Sequence, residues 1–168
     1  MQKCASAVQN GFVHGRQLVQ NCVDLDQASR VYACKRHTAQ RPFDSIVASS
    51  DSFCIGQVPV TVLFDFAAAF PSVIHAWLFL VLEHIRMPTG LQRLVRALYK
   101  NNQAFGTLDG HCLWLFAVCG GVLQGCPLSG SLFVLAIDPL LYLFSHYLHS
   151  ADRGRVRACA DDIGIALS

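Results

Sequence analysis

Two hydrophobic periods run through this chain, and they divide it into helices and strands. After a turn punctuated by Gly11 and Gly15, apolar Leu18, Val19, Cys22, Val23 and Leu25 recur at three- and four-residue steps, which predicts a helix from about Arg16 to Lys35. Arg41 to Gly56 is rich in Ser and Asp and reads as a loop with room for a short strand. Val58 to Phe66 is β-branched and aromatic, the clearest strand pattern in the sequence, and it runs straight into Asp65. Helices are expected from Val73 to Arg86, with Ser72 as N-cap, and from Leu91 to Lys100. The second of these gathers Leu91, Leu94, Val95 and Leu98 on one face and Arg93, Arg96 and Lys100 on the other. Asp109-Gly110 between the apolar runs Ala104–Leu108 and His111–Val118 is a two-residue hairpin signal. A glycine-rich loop, Cys119 to Pro127, opens a long apolar helix with Pro127 in its first turn. Two short apolar runs then flank Asp161-Asp162, which predicts a closing hairpin with the aspartates at or beside its tip. Strands and helices mixed in this order indicate an α+β fold.

Composition changes the picture in one respect. At 168 residues the chain suits one domain, yet 53% of it is apolar and only 14% charged, so some apolar faces are expected to meet a partner. Leu128 to Leu148 is about long enough to cross a bilayer, but Asp138-Pro139 at its centre favours a buried helix, and no membrane segment is expected. The net charge of +2 does not by itself argue for nucleic acid. Its distribution is more informative: residues 1–41 carry +4 and the remainder −2. That asymmetry fits a phosphate-contacting lobe beside a metal-holding one, or a solvated basic helix face. Eight cysteines form no Cys-x-x-Cys pair or zinc-type grouping, and Met1 to Ser6 has no signal-peptide character. Reduced thiols and an intracellular location, nucleus or cytoplasm, are the expectation.

The chemistry starts from Asp161-Asp162. Adjacent like charges in an apolar setting raise each other's pKa and repel unless a cation lies between them, so a divalent metal is the first hypothesis and a plain polar turn the alternative. Should the strand ending in Asp65 pair beside the hairpin, the carboxylates would converge on one sheet edge and suit two Mg²⁺ ions about 3.5–4 Å apart.

Three segments in order, Phe64 to Val73, Gly121 to Gly130 and Cys159 to Asp162, resemble motifs A, B and C of reverse transcriptases. The match is closest to non-LTR retrotransposon enzymes of the long-interspersed-element type. Asp65-Phe66 with Ala69-Phe70 and Val73 resembles motif A, and Gln124-Gly125-Cys126-Pro127-Leu128-Ser129-Gly130, followed by Leu132-Phe133 and Asp138-Pro139, resembles motif B. Ala160-Asp161-Asp162 resembles motif C, and Gly11-Phe12 with Gly15-Arg16 the turn before the palm.

The resemblance implies a polymerase palm, a split β-α-β arrangement whose antiparallel sheet is backed by helices, with partial fingers. Residues 1–57 would be the fingers segment and 58–168 the palm, a single domain truncated at both ends. The implied activity is RNA-directed DNA polymerisation on an RNA template with a DNA primer and dNTPs, using two Mg²⁺ ions, or Mn²⁺. Asp65 and Asp161 would hold the ions, with Asp162 assisting and the Phe66 backbone as a further ligand. Phe70 would exclude a ribose 2′-hydroxyl, and Gln124 and Gly125 would approach the templating pair. Arg16, Pro127 and Ser129 would contact nucleic acid. Thumb, outer fingers or other parts of a parent polyprotein would complete such an enzyme. Two departures stand out: Cys159 replaces the usual aromatic before Ala-Asp-Asp, and Ala67-Ala68 is bland where relatives carry charge.

Plainer readings make Phe70 a core aromatic and the glycine loop a tight turn. At the level of the whole chain the rival is a catalytically silent remnant that binds nucleic acid or a protein partner. A palm that makes RNA on RNA would carry a small or acidic residue at the position of Phe70.

Overall fold

The computed structural model describes residues 5–39, 59–150 and 152–168, so the loop expected at 41–56 lies outside the described residues. Four helices and five strands form among them: α1 (Leu18–Ala39), β1 (Val60–Phe64), α2 (His75–His84), α3 (Thr89–Tyr99), β2 (Gln103–Leu108), β3 (His111–Ala117), α4 (Ser129–Ser150), β4 (Gly154–Cys159) and β5 (Asp162–Leu167). Both sheets are antiparallel, so the α+β class expected from the hydrophobic pattern is the class observed. The residues group into two compact units, one drawn from Ser6–Asp65 and Pro139–Ser168, the other from Phe66–Asp138.

In the first unit a three-stranded sheet has the order β1-β5-β4. Its central strand, β5, has a partner on each side and buries Ile163, Gly164, Ile165 and Ala166 in succession, whereas edge strand β1 leaves Leu63 76% exposed. Helix α1 packs on all three strands. The face it buries is not the one hydropathy suggested: Asn21 and Tyr32 are buried while Val19 and Val23 are exposed. The sheet beneath explains this. Gly164 has no side chain, and a Cβ there would stand 2.3 Å from Leu25 Cδ1, so α1 settles over the bare glycine with the Asn21–Leu25–Tyr32 side down. Arg157 on β4 then reaches Asp24 at 2.7 Å.

One strand-like segment has no counterpart in the hydrophobic pattern. Residues Val8 to Asn10 run parallel to β4, with Ala158 N–H donating to Val8 O at 2.9 Å and Asn10 N–H to Ala158 O at 2.7 Å.

The second unit packs α2 against α3 and carries the β2–β3 hairpin. Asp109 and Gly110 adopt φ of 49° and 78° at its tip, the paired left-handed residues that an Asp-Gly turn supplies. All seven residues of β3 are exposed. Two end-points differ from expectation. Ser72 is not the N-cap of α2: its hydroxyl donates to Ala68 O at 2.8 Å, and Ile74 caps the helix without a side-chain bond. The first-turn amide of His75 is satisfied instead by Cys119 O at 3.0 Å, so a neighbouring loop does what a capping side chain usually does. Helix α4 begins at Ser129, two residues after Pro127. By length and composition α4 could cross a membrane; Leu132 to Ala136 and Leu141 are buried within the protein, while Tyr142, Leu143 and Tyr147 are exposed.

Candidate active site

Backbone pairing brings Asp65 toward the end of the hairpin that carries Asp161 and Asp162. Strand β1 pairs with β5 in the register Phe64↔Ile163, so Asp65, the next residue, continues toward the level of Asp162. Cys159 pairs with Asp162 across the β4–β5 turn, leaving Ala160-Asp161 as its two tip residues. A cavity of about 300 Å³ is lined by Asp65, Asp162, Cys159, Leu18, Cys22 and Leu63 among others, and Asp161 is not part of that lining.

Among the described residues no ion pair engages Asp65, Asp161 or Asp162; the four basic groups in ion pairs go to Asp26, Asp152, Glu83 and Asp24. The consequence is felt at Cys159. Its thiol is pushed up chiefly by burial, and further by the negative charges of Asp162 and Asp161. The donor set consists of carboxylate oxygens, which suit a hard cation such as Mg²⁺ or Mn²⁺. No group of three His, Cys, Asp or Glu side chains is gathered at ligating distance among the described residues. The chemistry of the donors fits a divalent ion, and the strand register places Asp65 toward the level of Asp162.

The turn that carries them is held from the N-terminal segment. Gln9 is fully buried, and its carboxamide binds both polar groups of Ala160: Oε1 accepts the Ala160 N–H at 3.0 Å and Nε2 donates to Ala160 O at 3.3 Å. The same Oε1 accepts the Gly11 N–H at 2.8 Å. Asn21 Nδ2 donates to Ala158 O at 2.9 Å, and Asn10 bonds in turn to Asn21. Gly11 must be glycine for this, because a Cβ would lie 2.3 Å from Ala160 N. The residue at the tip with left-handed backbone is Ala160, at φ 55°. Arg16 donates to the carbonyls of Ser6 and Gln9 and shapes the same segment.

The second unit holds the glycine loop. Val122 N–H donates to Phe70 O at 3.0 Å and Gly121 N–H to Val73 O at 2.8 Å, which ties the loop to the turn after β1. Buried His75 bonds through Nε2 to Gly121 O at 2.8 Å and lies 5.1 Å from the Tyr99 ring, whose hydroxyl accepts the Leu123 N–H at 3.2 Å. Buried Ser129 donates its hydroxyl to Leu123 O. Phe70 is half-buried and stacks on Phe133 with centroids 4.7 Å apart. Gln124, Gly125 and Pro127 are exposed, and nothing lies within 4 Å of a Cβ built on Gly125, whose φ is 83°. Asp65, Asp161, Asp162 and Arg16 thus belong to one unit, and Phe66, Phe70, Gln124, Gly125, Pro127 and Ser129 to the other.

Sequence reasoning missed Gln9, Asn21 and His75. With Ser129 they are the buried polar residues among those described, and all four bond to the backbone of the Asp-Asp hairpin or the glycine loop. Burying a polar side chain costs free energy unless it is bonded, so such residues persist where irregular backbone needs partners.

Comparison with known proteins gives a consistent answer. The family model for reverse transcriptase (RNA-dependent DNA polymerase) matches residues 3–168. No curated protein matches the chain. Among solved structures, apo telomerase from Candida tropicalis, truncated from its C-terminal domain, is similar with a TM-score of 0.54 at 10% identity. The match covers 88% of this chain and 34% of the telomerase chain, and at that identity the likeness is one of fold.

Proposed function

The chain belongs to the reverse transcriptase (RNA-dependent DNA polymerase) family, and we propose that it is the palm with partial fingers of a non-LTR retrotransposon enzyme, extending a DNA primer on an RNA template with dNTPs. In this reading residues 1–57 are the fingers segment and 58–168 the palm. The observation that supports it is the register of β1, β5 and β4, in which Asp65 follows the Phe64–Ile163 pair and Asp161 precedes Asp162 in the turn, with no ion pair to any of the three among the described residues. Unpaired adjacent carboxylates repel, and a divalent cation is the partner their oxygen donors suit.

Asp65 and Asp161 hold the metal, with Asp162 assisting and the Phe66 carbonyl beside Asp65. When bound there, two Mg²⁺ ions, or Mn²⁺, supply activation of the primer 3′-hydroxyl and charge neutralisation at the departing pyrophosphate. Phe70, braced by its stack on Phe133, lies under the nucleotide sugar and excludes a 2′-hydroxyl by bulk. The exposed Gln124-Gly125 step approaches the templating pair, where a side chain on residue 125 would meet the left-handed backbone first. Arg16, Pro127 and Ser129 flank nucleic acid, and the bonds of Arg16 and Ser129 to backbone carbonyls also shape the loops there.

Primer extension on poly-rA/oligo-dT with Mg²⁺ and dTTP tests the proposal directly. Extension by the wild-type chain that disappears in Asp161→Ala is the expected result. Folded protein that extends no primer, yet binds template-primer equally with and without Asp161, would refute it in favour of a silent nucleic-acid-binding palm.

A further inference from the structure

The Gln9 side chain makes three hydrogen bonds and all of them go to backbone, two to a residue 151 positions away. That residue, Ala160, immediately precedes Asp161 and holds a left-handed φ of 55° that a non-glycine residue adopts only when its surroundings impose it. A carboxamide is planar and offers an acceptor and a donor together, so one side chain can fix both the N–H and the C=O of a single residue. The attachment of the Val8–Asn10 segment to β4 does not depend on these bonds. It is made by the backbone of Val8, Asn10 and Ala158 and by Asn21. What the Gln9 side chain adds is control of the turn.

We propose that Gln9 is the positioning residue of the Asp161-Asp162 turn. By clamping Ala160 it fixes the direction in which the two carboxylates leave the hairpin, and through that the affinity of the site for a divalent ion. The inference rests on the reading of Asp65, Asp161 and Asp162 as that site. It gives the N-terminal segment a part in metal binding although it contributes no ligand.

The test compares wild type with Gln9→Met, which keeps the length of the side chain and removes its hydrogen bonds. Two quantities are read on the ¹⁵N-labelled chain: the exchange rate of the Ala160 amide, and the Mn²⁺ concentration that half-broadens the Asp161 and Asp162 amide resonances. Val156→Ala, a buried β4 residue away from the turn, is the control for general loss of stability. Gln9→Met should exchange its Ala160 amide about tenfold faster or more and need about tenfold more Mn²⁺, with Val156→Ala unchanged in Mn²⁺ response. Should Gln9→Met fold poorly, the same measurement in an Ala160→Gly background applies, since glycine takes the left-handed φ without a Cβ penalty. Folded Gln9→Met with wild-type Mn²⁺ response overturns the inference, as does an equal loss in Val156→Ala. A wild-type chain whose resonances ignore Mn²⁺, or respond identically in Asp161→Asn, overturns the metal-site reading itself and the inference with it.

Discussion

Replacing Gly11 by alanine should unfold the site from its support, and the structure gives the size of the effect. The added Cβ would lie 2.3 Å from Ala160 N, 2.9 Å from Cys159 C and 3.1 Å from Ala160 Cα. Non-bonded heavy atoms prefer separations near 3.5 Å, so the overlap is roughly 1 Å. Every atom it meets is backbone, so no rotamer change relieves it. Moving the segment off β4 by that distance stretches the Asn10–Ala158 and Ala158–Val8 bonds, now 2.7 and 2.9 Å, and opens the Gln9 clamp. Overpacking costs about 1–3 kcal/mol, and each buried polar group left unbonded about 1–3 kcal/mol more. A loss of about 4 kcal/mol is expected, or a fall in Tm of about 8–16 °C for a chain of this size. The sign is informative, because Gly11 is outside the left-handed region and glycine-to-alanine changes at such positions ordinarily stabilise. Gly90→Ala, in α3 with nothing within 4 Å of its Cβ, should do so by up to about 1 kcal/mol. Thermal melts of both variants decide the matter: Gly11→Ala melting within about 2 °C of wild type would refute the close approach of this segment to the Ala160 peptide.

Three further outcomes can be checked. Asp24 is held below the usual carboxylate range, first by its hydrogen bond from Arg157 and then by that from Gln20. Its contribution is therefore complete above the unfolded pKa of about 3.9 and is lost as pH falls through the lower folded value; Asp24→Asn should cost about 1–2 kcal/mol at pH 7 and progressively less below pH 4, and urea midpoints that shift equally at both pH values would contradict this. Tyr99→Phe removes the acceptor of the Leu123 N–H and should cost about 1 kcal/mol while speeding exchange of the Leu123 amide; an unchanged exchange rate would mean the hydroxyl does not hold the glycine loop. Phe70→Val, under the proposed function, should relax discrimination between dNTP and NTP by about tenfold or more, an order seen when a steric gate loses roughly 1.4 kcal/mol, and a kcat/KM ratio equal to wild type would assign Phe70 to the core alone.

What was legible in the sequence followed from local rules with strong signals. Val60 to Phe64 and the two runs around Asp109-Gly110 announce strands because β-branched residues and a two-residue turn leave few alternatives. The candidate ligands stood out for a chemical reason, since two adjacent aspartates between apolar runs repel unless a cation lies near them. Other features depend on partners far along the chain. Nothing local to Ser72 reveals that Cys119 O will satisfy the amide its hydroxyl was expected to serve. Nothing in α1 reveals that Gly164 will sit beneath Leu25, and so that Asn21 and not Val23 turns inward.

The supports of the Asp-Asp turn and of the glycine loop escaped for one common reason. Gln9, Asn21 and His75 are polar, and hydropathy places polar residues outside, yet each is buried and each binds backbone of the Asp-Asp hairpin or the glycine loop. A turn and a glycine loop each need such groups, because those segments present amide and carbonyl groups with no regular partner. The carboxylates and the glycine loop carry the chemical signature, while the residues that hold them in place are written as ordinary polar positions. Gln9 illustrates the point: its only local mark is Gly11 two residues on, a glycine whose necessity becomes visible once Ala160 is found against it.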